Sequence, residues 1–181
     1  SDLETYKNAI VLNEERNKLI RDYAIEMKSS GRPTLILVER LEHGRILEEM
    51  IEDALFVPGG DGSDDSPIPE EEMDYRRYQL KRLENNEIIM IATSWAFTGI
   101  DAPKISSIIL GCSMSSPNTI TQQIGRGLRK AKGKDGCVII DFKMKESSLR
   151  AHHYSKMKVY KSEEEFSITI LKYNKVKGFY V

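Results

Sequence analysis

The chain has 181 residues, of which 40% are hydrophobic and 30% are charged, and its 27 basic and 28 acidic residues give a net charge of -1. This composition predicts a globular domain with one sizeable core. It argues against a membrane protein, because no apolar run approaches the roughly 18 residues of a membrane span and the N-terminus lacks a signal-peptide pattern. We therefore expect a cytoplasmic protein without a membrane partner. Cys112 and Cys137 lie in or beside apolar strand-like runs without a CxxC partner, which predicts reduced core residues rather than metal ligands.

Helix and strand signals alternate along the chain. Asn13 or a neighbour can cap the first helix, and Gly31 can end it. Apolar periodicity and short buried-type apolar runs predict the remaining elements. The predicted helices span about 14–30, 42–53, 70–84, 117–130 and 147–161, and the predicted strands span about 34–38, 54–57, 88–92, 105–110 and 137–141.

This alternation predicts an α/β fold, a parallel sheet with helices on both faces. Residues 58–69, rich in Gly, Asp, Ser and Pro, read as an acidic loop. Residues 166–170 and 178–181 alternate well enough to predict a C-terminal hairpin appended to the sheet. Because ligands of parallel sheets sit beyond the carboxyl ends of the strands, those ends are the places to look for function.

One strand end carries a group of polar residues. Thr93 and Ser94 follow the predicted 88–92 strand, and Asp101 comes eight residues after Thr93. Hydroxyls can hold nucleic-acid phosphates, and a carboxylate can accept from a ribose hydroxyl. Gly99 permits a close approach that a side chain would block. The alternative is that Thr93 and Asp101 are ordinary cap and turn residues.

The segment from Gln122 to Arg129, QQIGRGLR, is the most informative part of the chain. It follows a predicted helix start at Ser116-Pro117, and a spacing of three places Arg126 and Arg129 on one helix face. Two guanidinium groups on one face can clamp phosphate oxygens. The alternative is a solvated basic helix, because further lysines follow. The basic flank, in which lysine and arginine dominate from Arg126 to Lys161, could also track a phosphate backbone, and it includes Lys130, Lys132 and Lys134.

These two segments carry a resemblance to a known family. Thr93-Ser94 with Gly99-Ile100-Asp101, followed by Gln122, Gly125-Arg126 and Arg129, resembles motifs V and VI of superfamily 2 helicases in order and spacing. The 34–38 strand, with Glu42-His43-Gly44 and Val57-Pro58-Gly59-Gly60, resembles the start of the same domain, including motif IV. The match covers about residues 10–145 and is nearest to the DNA repair, recombination and restriction-type branch, which includes phage enzymes.

The resemblance implies a RecA-like domain, the second of two that sandwich ATP and Mg²⁺. Residues 1–145 would form this domain (motifs IV to VI), and residues 146–181 its C-terminal helix and strand extension. The first domain of the family carries the phosphate-binding loop, and this chain contains no G-x-x-x-x-G-K-[ST] pattern. The first RecA-like domain and DNA, single-stranded or branched, are the implied partners, with RNA an open alternative. The compartment would be the cytoplasm, or the host cytoplasm for a phage protein.

The resemblance also implies residue roles. Arg129 would be the arginine finger that reaches the γ-phosphate, and Gln122 would be a positioning group. Arg126 would be the companion of Arg129, on the phosphate or on acidic residues of the first domain. Thr93 and Ser94 would hold the nucleic-acid backbone. The ATP-binding residues would be Asp101, Gly99 and Gly125, with Asp101 contacting either the nucleotide ribose or an arginine of motif VI.

Position 123 departs from the family pattern, since it is Gln where many relatives have Arg. No residue is expected to bind metal. The implied function is the second motor domain of an ATP-dependent DNA helicase or translocase, inactive as an isolated chain. The alternative is a nucleic-acid-binding or regulatory module that keeps the fold without hydrolysis.

Four other polar residues are predicted to be structural or solvated. His43 reads as a cap or packing residue. Arg76 or Arg77 sits near a place where members of the resembled family carry an arginine, but both read as surface charge on the 70–84 helix. Asp141 superficially resembles a Mg²⁺-binding strand end. Without an upstream phosphate loop, it reads as the end of an ordinary strand.

Overall fold

The computed structural model describes residues 2–59, 68–93, 102–113, 131–162, 164, 167–171, 173–174 and 179–180. The helices are α1 (Asp2–Tyr6), α2 (Glu14–Ser29), α3 (Leu41–Met50), α4 (Glu70–Glu84) and α5 (Ser147–Ser162), with a π-helical turn at Lys7–Val11. The strands are β1 (Thr34–Val38), β2 (Ala54–Val57), β3 (Ile89–Thr93), β4 (Ser107–Leu110), β5 (Val138–Ile140), β6 (Tyr173–Asn174) and β7 (Phe179–Tyr180).

The first five strands form one sheet in the order β2-β3-β1-β4-β5. Every pairing within it is parallel, which confirms the predicted α/β sheet. β1 lies at its centre, where all five residues are buried, as expected for a continuous apolar run. The predicted helix over 117–130 lies outside the described residues.

Helices cover both faces of the sheet, as predicted. Leu35 and Leu37 of β1 belong to a core cluster with side chains of α4 and α5, such as Leu83 and Tyr160. Side chains alternate along a strand, so the residues between them point to the opposite face. There Ile36 and Val38 pack with side chains of α2 and α3, including Ile20 and Leu47.

The predicted C-terminal hairpin is partly wrong. β6 and β7 pair antiparallel, but they form a separate two-stranded sheet rather than an addition to the main one. Residues 167–170, predicted as a strand, have no strand structure. Ile168 and Ile170 are 41% and 72% exposed, so the alternating pattern has no buried face to stabilise it.

Helix boundaries follow local chemistry. The Asn13 side chain accepts a hydrogen bond from the Arg16 backbone N–H at 3.0 Å, which caps α2, and Gly31 follows its end with φ +75°. α3 ends at Met50, earlier than the predicted 53, because Ile51 is extended and Asp53 has φ 60°. These two residues turn the chain so that β2 can begin at Ala54.

Candidate functional site

Because the five strands are parallel, their carboxyl ends meet at one edge of the sheet, here called the carboxyl edge. Thr93 is the predicted site residue that the structure describes, and it is the last residue of β3 at this edge. The remaining predicted site residues lie outside the described residues: Ser94, Gly99, Asp101, Gln122, Gly125, Arg126 and Arg129.

Thr93 ties two strand ends together. Its side chain accepts a hydrogen bond from the Gly59 backbone N–H at 2.8 Å, and the residue is only 6% exposed. Gly59 follows β2, the neighbour of β3 in the sheet. The motif V-like segment begins at Thr93. This contact therefore connects its first residue with the segment that follows β2. The hydroxyl hydrogen of Thr93 can still donate, so its predicted phosphate contact remains chemically open.

The end of β1 supplies a second group of residues at the carboxyl edge. Glu39 accepts a hydrogen bond from the Tyr6 hydroxyl, and the Arg40 guanidinium lies 5.7 Å from the centroid of the Tyr6 ring. Burial, then the Glu39 charge, raises the pKa of Tyr6 well above its usual range. Tyr6 and Arg40 line an open cavity of about 310 Å³, to which α5 contributes Leu149 and His152.

Beyond β4 lies a buried arginine. Arg16 of α2 is 5% exposed, and its Nη2 donates to the Leu110 carbonyl oxygen at 3.3 Å. Its guanidinium carbon is 5.1 Å from the Phe142 ring centroid. Nε and Nη1 have no hydrogen-bond partner among the described residues, and burial lowers the pKa of Arg16. Arg16 therefore packs between the ends of β4 and β5.

The two cysteines match their predicted role in the core. Both have free thiols, with Cys112 buried and Cys137 half-buried. Burial raises the pKa of Cys112 to about 12 and that of Cys137 to about 11. Both thiols are therefore protonated near neutral pH, as expected for buried structural cysteines.

Asp141, directly after β5, forms a buried ion pair. Its carboxylate lies 2.6 Å from the Lys156 ammonium and accepts from the Tyr160 hydroxyl at 3.0 Å. The side chains of Lys156 and Asp141 are 3% and 10% exposed. A carboxylate neutralised in this way does not resemble a Mg²⁺ ligand, in agreement with its reading as an ordinary strand end. Among the described residues, no group of three or more His, Cys, Asp or Glu could hold a metal ion.

His43 is a packing residue, as predicted. It is fully buried, and its Nε2 lies 2.8 Å from Asn17 Oδ1. Asn17 Nδ2 donates to the Val11 carbonyl oxygen at 2.9 Å, which leaves Oδ1 to accept from the histidine. The next residue, Gly44, leaves room for Phe56, because a Cβ there would lie 2.4 Å from the Phe56 ring.

His43 should make stability depend on pH. Burial, with a smaller effect from Arg16, lowers its pKa from 6.5 to about 3. Between these values the unfolded chain binds a proton that the folded chain does not. The folded state therefore keeps its full stability with respect to His43 above pH 6.5, and this contribution to the free energy of unfolding is lost as the pH falls toward 3. Between pH 7 and pH 5 we expect His43 to lower the free energy of unfolding by about 2 kcal/mol.

Urea unfolding across this range tests the prediction, with His43→Gln as the control that lacks the titrating ring. The wild-type stability should fall more steeply with acidification than that of the variant. Parallel pH profiles for the two proteins would show that His43 does not titrate as described.

One predicted surface cation is buried instead. Arg76 was predicted to be surface charge, and this is wrong: it is 3% exposed and pairs with Glu72 one turn earlier. It lies four and seven residues before Leu80 and Leu83, on the buried stripe of α4, so helical spacing could have located it. Arg77 is exposed, as predicted.

Comparisons with known proteins agree with this fold. No protein-family model matches the chain. The putative ATP-dependent helicase IRC3 of Saccharomyces cerevisiae is 39% identical over 64 residues, which are 35% of this chain and 9% of the yeast protein. The solved structure of T4 UvsW matches with a TM-score of 0.63 and 22% identity, over 88% of this chain and 35% of the UvsW chain.

A third match is S. cerevisiae Dbp5 bound to RNA and ADP BeF3, with a TM-score of 0.55 and 15% identity over 85% of this chain and 37% of that one. This chain has the fold of a helicase RecA-like domain. It spans only about a third of the T4 UvsW and Dbp5 chains. Within the part of the chain that the structure describes, no helix is both long and apolar enough to cross a membrane.

Proposed function

We propose that this chain is the second motor domain of an ATP-dependent superfamily 2 DNA helicase or translocase. The observation that carries the proposal is the position of Thr93. The motif V-like segment begins there, at the carboxyl end of a strand inside a parallel sheet, between β2 and β1. This is the edge at which ligands of such sheets bind.

Each residue of the proposed site has a distinct task. Arg129 and Arg126 stabilise the charge that develops on the transferred phosphoryl group, and Gln122 positions them. Asp101 accepts from the ribose, while Gly99 and Gly125 let the backbone approach the nucleotide. ATP with Mg²⁺ supplies the phosphoryl group and is held mainly by a first RecA-like domain.

The nucleic-acid contacts belong to Thr93 and Ser94, whose hydroxyls and adjacent amides bind phosphate without reading sequence. The hydrogen bond between Thr93 and Gly59 supports this role, because it holds the start of the segment against the neighbouring strand end. Names and bound ligands of the matched proteins also support nucleotide and nucleic-acid binding: IRC3 is described as ATP-dependent, and Dbp5 was solved with RNA. The proposed polymer is DNA, and RNA is the alternative.

Residues 1–181 alone should show negligible ATPase activity, with or without DNA. The reason is that the sequence contains no phosphate-binding loop of the G-x-x-x-x-G-K-[ST] type. Phosphate release by the purified chain measures this directly. Robust turnover that persists through purification and disappears in an Arg129→Ala variant would overturn the assignment as one half of a two-domain motor.

A further inference from the structure

The opposite edge of the sheet carries a positively charged cleft that the proposed function does not use. This amino-edge cleft is open and has a volume of about 440 Å³. It is lined by four cationic side chains and two carboxylates, Glu84 and Asp135. The cationic residues are Arg32, Lys104, Lys132 and Lys134.

The fold arranges these cations in a row. β1, β4 and β5 are adjacent, and their first residues are in register: Thr34 pairs with Ser107, and Ser107 pairs with Val138. Each of the three strands is preceded by cleft residues. Arg32 comes before β1, Lys104 before β4, and the Lys132–Lys134 turn before β5. Neighbouring strands lie about 4.8 Å apart, so the row extends over roughly 10 Å.

Hydrogen bonds fix the backbone beneath this row. The Ser106 and Ser107 N–H groups both donate to the Pro33 carbonyl oxygen at 3.1 Å. Val138 N–H donates to the Ser106 carbonyl oxygen at 2.9 Å. The Lys134 ammonium donates to the Pro103 carbonyl oxygen at 3.0 Å, which fastens the turn before β5 to the segment before β4. The segments that carry the cations are therefore held together by hydrogen bonds.

The two carboxylates in the cleft offset only part of this positive charge. Arg32 pairs with Asp135 at 3.4 Å, but the Asp135 side chain is 81% exposed, and such pairs are weak in water. Glu84 accepts from the Lys104 backbone N–H rather than from its ammonium. Neither Lys104 nor Lys132 forms an ion pair with another described residue. The cleft has two positive charges in excess.

The cleft also has room for a ligand. Gly31 and Gly133 line it with φ of +75° and +80°, and a Cβ at either position would meet nothing within 4 Å. Burial lowers the pKa of Lys134, which indicates an ammonium partly removed from water. An anionic group in the cleft would restore favourable interactions for that charge.

We propose that the amino-edge cleft binds the phosphate backbone of a single-stranded nucleic acid, as a contact separate from the one at Thr93. The row of cations fits a chain of regularly spaced phosphates better than a single oxyanion, and backbone contacts need no base reading. A five-residue strand is about 16 Å long, so one phosphate cannot reach both edges. This inference rests on the proposed function in one respect only, the choice of a nucleic acid as the ligand.

The experiment measures binding of fluorescein-labelled (dT)20 to the 181-residue chain by anisotropy, at salt concentrations from 50 to 200 mM. The test variant is Lys104→Gln with Lys132→Gln, at two exposed positions. The control is Lys18→Gln with Lys158→Gln, which removes two exposed lysines of α2 and α5 outside the cleft. Amide NMR signals of Gly31 and Gly133 report occupancy of the cleft itself.

For the wild type we expect weak, strongly salt-dependent binding and saturable shifts of both glycine signals. The cleft variant should bind on the order of ten-fold more weakly at low salt, and its log K against log salt slope should be shallower by about 1.4, the value for two lost phosphate contacts. The control should change affinity less than about two-fold, because its lysines touch no phosphate.

Three results would overturn the proposal: no binding by the wild type, a cleft variant that behaves like the control, or glycine signals that do not shift. Tighter binding of polyglutamate than of (dT)20 would also overturn it, in favour of an acidic protein segment. Unshifted glycine signals, or a cleft variant that behaves like the control, would count against the cleft alone. Loss of all binding by the wild type would also count against the proposed contact at Thr93, so the two failures are distinguishable.

Discussion

In a protein that joins this chain to a first RecA-like domain, Arg129→Ala should lower the rate of ATP turnover by about 10³–10⁵-fold. The affinity for ATP should change far less. An arginine finger acts on charge that appears only while the phosphoryl group is transferred, so its removal affects kcat rather than ground-state binding. Steady-state phosphate release, with ATP affinity measured separately, provides both quantities.

Two further variants sharpen this test. Arg129→Lys should not restore turnover, because an ammonium lacks the two-donor fork of guanidinium. Arg77→Ala is the matched control: Arg77 is 59% exposed and pairs with Asp74 on the surface of α4, so its loss should cost under about 1 kcal/mol. Near-normal turnover with weakened DNA binding in Arg129→Ala would instead assign residues 122–129 to a phosphate-backbone patch, as in the non-hydrolysing alternative.

Lys156→Met should lower the free energy of unfolding by about 3–5 kcal/mol. The substitution removes the ammonium 2.6 Å from Asp141 and leaves a carboxylate that is only 10% exposed without its counter-charge. The Tyr160 hydroxyl still donates to Asp141, but a neutral donor does not replace the lost cation. Urea unfolding of the 181-residue chain measures the change.

Adding Asp141→Asn to Lys156→Met should recover a substantial part of this loss. The amide removes the uncompensated charge and keeps an acceptor for Tyr160. Lys158→Met, at an exposed position of the same helix, is the matched control and should change stability by less than about 0.5 kcal/mol. If Lys156→Met and Lys158→Met unfold alike, the buried pair does not stabilise the fold.

The sheet was predictable from the sequence because its central strands are continuous apolar runs. β1 and β2 occur at the predicted residues, and β3 differs by one position at each end. Because of that shift, Thr93 is the last residue of β3, where it pairs with Val38 of β1. The predicted strand at the C-terminus does not form. Ile168 and Ile170 follow the alternating pattern of a strand, but both side chains are exposed, so no buried face stabilises it.

The partners of the buried polar groups could not be predicted, because they come from other elements of the fold. Arg16 lies four and eight residues before Ile20 and Ala24 on the buried stripe of α2, so helical spacing could have located it, but its bond to the carbonyl of Leu110 joins residues 94 positions apart. Lys156 shares the buried face of its helix with Leu149 and Tyr160, seven residues before it and four after it, and its partner Asp141 follows β5. Helical periodicity therefore indicates which charges are buried, and tertiary packing decides which groups pair with them.

The sequence predicts the candidate site as a set of motifs in order, and the structure describes one member of it, Thr93, at the carboxyl edge. The tasks of Arg126 and Arg129 remain predictions, because both lie outside the described residues. The basic flank shows that residues close together in the sequence can lie at different edges of the sheet. Lys132 and Lys134 follow the motif VI-like segment in the chain, yet they line the amino-edge cleft, away from Thr93.

The most direct test of the account is DNA-stimulated phosphate release by a protein that joins residues 1–181 to a first RecA-like domain with a phosphate-binding loop. Each half is measured alone and the two are then compared with the joined protein. The account predicts turnover that requires both halves and is abolished by Arg129→Ala. Equal turnover by the first domain alone, unaffected by the presence of this chain, would contradict it.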